Sequence, residues 1–165
     1  MKPVLIAGTG NIFFGDDGFG VEVLRRLDTA DLPDGVSAVD YGIRGVHLAY
    51  DLLGGDVKTL ILVDALPMGE VPGTLAVVEL DDEALAEITG QSTPLDSHSM
   101  NPQAVIAALH AVGGHVDRIL VIGCQPATVQ PGMGLSPSVV AAVDAAARLA
   151  IETATSLIPQ PIEKR

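Results

Sequence analysis

Thr59-Leu60-Ile61-Leu62-Val63-Asp64 is an unbroken apolar run that ends on an acid. A strand with one wet face would alternate in polarity. This one does not, so it reads as covered on both sides, the central strand of a parallel sheet. Working outward, Val4 to Ala7 is a shorter apolar run closed by Gly8, and beyond Gly20 the residues Val21, Leu24 and Leu27 share one helical face. That is strand, turn, helix. Ser37 to Asp40 gives a second strand, and Val46 to Leu53 a helix stopped at Gly54-Gly55.

Gly73 to Leu80 follows a Pro-Gly turn and alternates less cleanly, as expected of an antiparallel edge strand reached through a short hairpin-like link. Asp81 to Ile88 reads as a short acidic helix. Asn101-Pro102 is a cap-and-proline signal ahead of Val105, Ile106, Leu109 and Val112 at helical spacing. Arg118 to Gly123 is the last buried strand, and Ser136-Pro137 repeats the cap signal before an alanine-rich helix to about Leu157.

Strands alternating with helices predict an α/β fold: one three-layer domain over residues 1–158, with a mostly parallel twisted sheet of about five strands, one antiparallel edge strand, and helices on both faces. Residues 159–165 are polar and proline-containing, a flexible tail. Ligands of such open sheets sit outside the carboxyl ends of the strands, where Asp64 falls.

A chain of 165 residues, 48% hydrophobic, can bury one core of its own. Nine basic against 21 acidic side chains leave a net charge of −12. That repels polyphosphate backbones and argues against nucleic acid as a partner. The start of the chain lacks the regions of a signal peptide, and no apolar run approaches the roughly eighteen residues of a membrane span, so a cytoplasmic protein is expected. The single cysteine, Cys124, excludes an internal disulfide and a multi-thiolate metal site. At the end of an apolar strand it reads as a small buried hydrophobe rather than a nucleophile.

Three clusters carry chemistry. The first is Gly8-Thr-Gly-Asn-Ile-Phe-Phe-Gly-Asp-Asp-Gly-Phe-Gly20, between the first strand and the first helix. A glycine-rich turn before a helix can cradle a pyrophosphate, but the third fingerprint position is Phe13, and Asp16 and Asp17 would face the phosphates. Both acids could equally be helix-capping residues. Asp16 is the better placed to cap, which leaves Asp17 free to project into the crevice. The second cluster is Val63-Asp64-Ala65, where an unpaired buried carboxylate would be costly; its bland reading is a turn toward Pro67.

The third cluster is Asp96-Ser-His-Ser-Met-Asn101, a polar loop before a helix. A lone histidine is more often an ordinary surface residue. Yet His47 and His110 lie within predicted helices and His115 in a turn, so His98 alone can reach the rim where the acids lie. Two carboxylates and an imidazole make an oxygen-oxygen-nitrogen set suited to nickel or zinc rather than calcium or copper(I), with positions left open for water or substrate.

The glycine-rich acidic segment from Gly8 to Gly20, Val63-Asp64-Ala65, Ser97-His98, Gly123-Cys-Gln-Pro126 and Gly134-Leu-Ser-Pro137 resemble, in order and spacing, the hydrogenase maturation endopeptidases. The resemblance covers nearly the whole chain. It implies an enzyme that removes the C-terminal extension of a hydrogenase large-subunit precursor already loaded with nickel. It implies further that Asp17, Asp64 and His98 contact that nickel and do the catalytic work, by aspartyl-type or metal-assisted hydrolysis. The metal arrives with the substrate, and zinc or cadmium could stand in for it in a crystal. The enzyme is expected to act as a monomer away from membranes.

One loop departs from the family pattern. Asp40-Tyr41-Gly42-Ile43-Arg44-Gly45 stands where many relatives have Asp-Gly-Gly-Thr. This places Asp40, Gly42 and Arg44 as substrate-recognition residues, with Gly42 supplying backbone freedom. Alternatively, Arg44 merely answers the surrounding negative charge. The competing functional classes are a nickel-delivery chaperone and a dinucleotide-binding protein. A serine protease is disfavoured, because Ser97 and Ser99 flank His98 too closely for a triad and no nucleophile elbow occurs.

Overall fold

A computed structural model describes residues 2–81, 83–86 and 102–161. Among these residues are five strands, β1 (Val4–Thr9), β2 (Val36–Gly42), β3 (Thr59–Ala65), β4 (Leu75–Leu80) and β5 (Arg118–Cys124). They form one sheet in the order β2-β1-β3-β5-β4. All pairs are parallel except β4 with β5. The fully buried run 59–65 therefore takes the middle position, because only there does a strand find helices on both faces and partners on both edges.

Side chains of a strand point alternately to opposite faces, and the core divides accordingly. Val4 and Ile6 of β1, Ile61 and Val63 of β3, and Ile122 of β5 pack on one side, against helices α1 (Phe19–Asp28) and α4 (Pro137–Ser156). Leu5 and Ala7, Leu60 and Leu62, and Val121 pack on the other, against α2 (Gly45–Leu52) and α3 (Pro102–Ala111). Alanines at 146, 150 and 154 let α4 lie close to the sheet. The three-layer arrangement expected from the sequence is present.

Three local expectations change. No hairpin joins β3 to β4: residues 66–74 pass around the end of β5, and β4 pairs on its far side. β5 is buried over all but its first residue and belongs inside, whereas β4 exposes Val77 and Val78 and ties its Glu79 to Arg118 at 2.7 Å, which suits an edge. Ser136 does occupy the cap position of α4, but its side chain makes no bond to that helix. Of the acidic helix expected at 81–88, residues 83–86 are helical, and its remainder after 86 lies outside the described residues, as does Asn101.

Candidate active site

The chain leaves β1 toward β2 on one side and leaves β3 toward β5 and β4 on the other. A crevice opens where neighbouring strands part in this way, at their carboxyl ends. Thr9 closes β1 there, and Asp64 is the last residue but one of β3. Asp64 is 1% exposed. Its Oδ2 accepts the Thr9 hydroxyl at 3.0 Å and its Oδ1 the Ala65 N–H at 2.8 Å.

Asp17 comes from a 3-10 turn, Gly15–Gly18, that precedes α1. Its Oδ2 accepts the Asn11 N–H at 2.9 Å. Both acids line one cleft of about 420 Å³, together with Asn11, Phe14, Ala65, Pro67 and Val129. Burial pushes the Asp64 carboxyl well above 3.8, and the Asp17 charge pushes it further, against the Thr9 and Ala65 hydrogen bonds. Burial raises Asp17 as well, opposed by the Asn11 N–H. Two acids destabilised as anions in a shared open cleft form a site that a cation would satisfy.

The loop reaches this geometry through Gly10, whose φ of +134° lies outside the range of ordinary side chains. A Cβ there would stand 2.0 Å from the Asp17 carbonyl oxygen and 3.3 Å from Asp64 Oδ1. The same loop is a poor phosphate cradle. Its amides are already engaged: Gly10 with the Gly42 carbonyl, Asn11 with Asp17, Phe13 with the Asn11 side chain, Gly15 with Gly132 and Asp16 with Thr128. A nucleotide would find few free donors.

Asp16 behaves differently from the helix cap expected of it. It is wholly buried and reaches across to residues 127–136. There it accepts the N–H groups of Ala127, Thr128 and Ser136 at 2.8, 3.0 and 2.7 Å, and the Ser136 hydroxyl at 2.9 and 2.7 Å from its two oxygens. Burial alone would raise its pKa, but the Ser136 bonds and those from Thr128 and Ala127 hold it below 3.8. Asp16 thus fastens the turn bearing Asp17 to the loop bearing Val129.

His98 lies outside the described residues. Among the described residues, no group of three His, Cys, Asp or Glu side chains is placed to hold an ion. His47 and His110 are exposed on α2 and α3, and His115 is exposed beside Asp117. Cys124 is a buried free thiol, pushed up to about 11 by burial and by the Asp16 charge.

In the 40–44 loop, Asp40 Oδ1 accepts the Gly42 N–H at 2.9 Å, and Gly42 has a φ of +51°. Arg44 curls back: its Nη2 donates to the Asp40 carbonyl at 2.8 Å and its Nε to the Tyr41 carbonyl at 3.3 Å. Tyr41 turns inward, 2% exposed, and its hydroxyl donates to Asp51 at 2.7 Å.

Sequence reasoning passed over Thr9, Asn11 and Gln125. Thr9 and Asn11 sat inside the glycine-rich segment, and their polar character at a strand end was the available signal. Gln125 stood within the quoted Gly123-Cys-Gln-Pro126 segment, with no role attached to it. Its Oε1 accepts the N–H groups of Met68 and Glu70, which orders the loop holding Pro67.

The family model described as HycI, hydrogenase maturation protease, matches residues 21–153, which include Asp64 and His98 and begin four residues after Asp17. The chain is 38% identical over 150 residues to the Methanocaldococcus jannaschii protein MJ0253, covering 88% of this chain and 92% of that one. It is 31% identical over 145 residues to the hydrogenase 2 maturation protease of Escherichia coli, covering 87% and 85%. Among solved structures, the hydrogenase maturating endopeptidase HybD of E. coli superposes with a TM-score of 0.74 at 28% identity, covering 94% of this chain and 93% of that one.

The fold is that of an α/β peptidase. The chain belongs to the hydrogenase maturation protease family.

Proposed function

We propose that this peptidase removes the C-terminal extension of a hydrogenase large-subunit precursor, and that nickel already seated in the precursor is what Asp17, Asp64 and His98 recognise. The observation that carries the reading is the shared cleft. Asp17 and Asp64 stand together at the parting of β1 and β3, Asp64 buried and Asp17 half-buried, and among the described residues no cationic side chain is bonded to either. A divalent ion brought in by the substrate would relieve both the burial cost and the mutual repulsion.

Binding the ion requires both carboxylates to be deprotonated, so recognition releases protons at the site. The ion polarises a nearby carbonyl or acidifies a bound water, and a carboxylate accepts the proton that the attacking water gives up. Thr9 and Asn11 hold Asp64 and Asp17 in their rotamers during that transfer. Asp40, Gly42 and Arg44 belong to this proposal as substrate-reading residues beside the cleft. The protein acts as a monomer in the cytoplasm in this reading; among the described residues no helix is long and apolar enough to cross a membrane.

The experiment incubates the purified protein with nickel-loaded and nickel-free precursor and follows the mass of the precursor's C-terminus. Loss of a short peptide from the loaded form alone supports the reading. Asp17→Asn, Asp64→Asn and His98→Ala should each abolish it, and full activity in all three refutes the site. Nickel binding without any cleavage would indicate a delivery chaperone instead.

A further inference from the structure

Residues 10–13 and 40–44 border a second groove of about 320 Å³, and Asn11 lines both this groove and the acid cleft. A hydrogen bond of 3.0 Å from the Gly10 N–H to the Gly42 carbonyl joins the two loops. The two concavities adjoin at Asn11, and an extended peptide held at Asp17 and Asp64 has this groove as its neighbouring path.

The groove's own chemistry is selective. Phe13 is 60% exposed and Ile43 57%, one contributed by each loop. Neither is among the buried core residues, so polar side chains would serve the fold as well; apolar ones bordering a groove mark surface that becomes covered on binding. Arg25, which also lines it, is paired with Glu22, and the Asp40 carboxylate is bonded to the Gly42 N–H. Arg44 bonds only to carbonyl oxygens, and among the described residues no carboxylate pairs with it. In a chain of net charge −12, an arginine so placed complements a carboxylate on the ligand.

We propose that this groove is a substrate subsite for peptide next to the scissile bond, seating an apolar side chain between Phe13 and Ile43 and meeting an acidic side chain with Arg44. The proposal rests on the function proposed above and deepens it by naming the sequence chemistry that is read.

The test measures steady-state processing of nickel-loaded precursor by the wild type, Ile43→Asp and Arg44→Glu. Ile43→Asp should raise KM about tenfold or more while kcat stays within about twofold and the cut position is unchanged. Arg44→Glu should raise KM similarly, and changing the acidic residue nearest the cut in the precursor to lysine should restore it. Wild-type KM in both variants, a loss confined to kcat, or no recovery in the charge swap would each overturn the subsite. Because Arg44 also braces its own loop, Ile43→Asp provides an arm independent of that bracing. Failure of the wild type to process the precursor would instead overturn the proposed function and is read separately.

Discussion

Asp16 and Asp64 are both buried acids, yet their surroundings drive them in opposite directions. Asp16 sits where residues 127–136 deliver three backbone N–H groups and a hydroxyl, and its pKa is lowered. Asp64 receives one hydroxyl and one N–H while facing another acid, and its pKa is raised well above 3.8. Both are closed to solvent, but Asp64 lies far deeper among protein atoms; deeper burial, the facing Asp17 charge and a smaller supply of donors together decide which acid is uncomfortable as an anion. The satisfied acid holds the fold together; the unsatisfied one is available for chemistry.

The sharpest way to break this comparison is Asp64→Asn. Processing should fall by at least about 100-fold, since the proposed function makes this carboxylate both ligand and candidate base. Stability at neutral pH should hold or rise. The native state keeps its proton on Asp64 above pH 3.8 where the unfolded chain has lost it, so this group's contribution is full below 3.8 and declines as pH rises toward the raised folded value. The amide removes that decline. Melting curves at pH 4 and pH 7 check it, and a variant less stable than the wild type at pH 7 would contradict the assignment.

Asp16→Ala tests the other half. It leaves the Ala127, Thr128 and Ser136 N–H groups unpaired and should cost about 3 kcal/mol or more by denaturant titration. The sign with pH is reversed. The folded pKa lies below 3.8, so the stabilisation is present above 3.8 and is lost as pH falls through the lowered value. Wild type and variant should therefore converge only in that acid window.

Gly10→Ala probes the backbone between the two regions. Its Cβ would press on the Asp17 carbonyl oxygen at a φ of +134°. A loss of about 2 kcal/mol is expected from the strained conformation, with reduced processing as the loop shifts. The smallest effect is expected at Cys124→Ser. A hydroxyl in that buried position should cost about 1 kcal/mol, with cleavage per folded molecule unchanged. Loss of activity with the fold intact would return Cys124 to the mechanism.

Strand identity was legible where apolar runs were long: 59–64 and 118–123 differ from the observed β3 and β5 by one residue. Their order across the sheet was legible only in part. Which strand lies beside β3 depends on comparing burial over whole strands, and a local turn signal near Gly73 suggested a hairpin that does not form. The position of Asp17 at the crevice followed from its place at a strand-to-helix turn. The role of Asp16 did not, because its donors lie more than 100 residues away.

The sequence alone determined the layers, since hydrophobic period and unbroken runs are local properties that select helix, half-buried strand or buried strand. It also determined that acids would stand at the ends of strands. Only the tertiary structure decided which of these acids is held as an anion and which faces another across an open cleft, because that depends on hydrogen-bond donors brought from distant segments, and spacing along the chain carries no record of them.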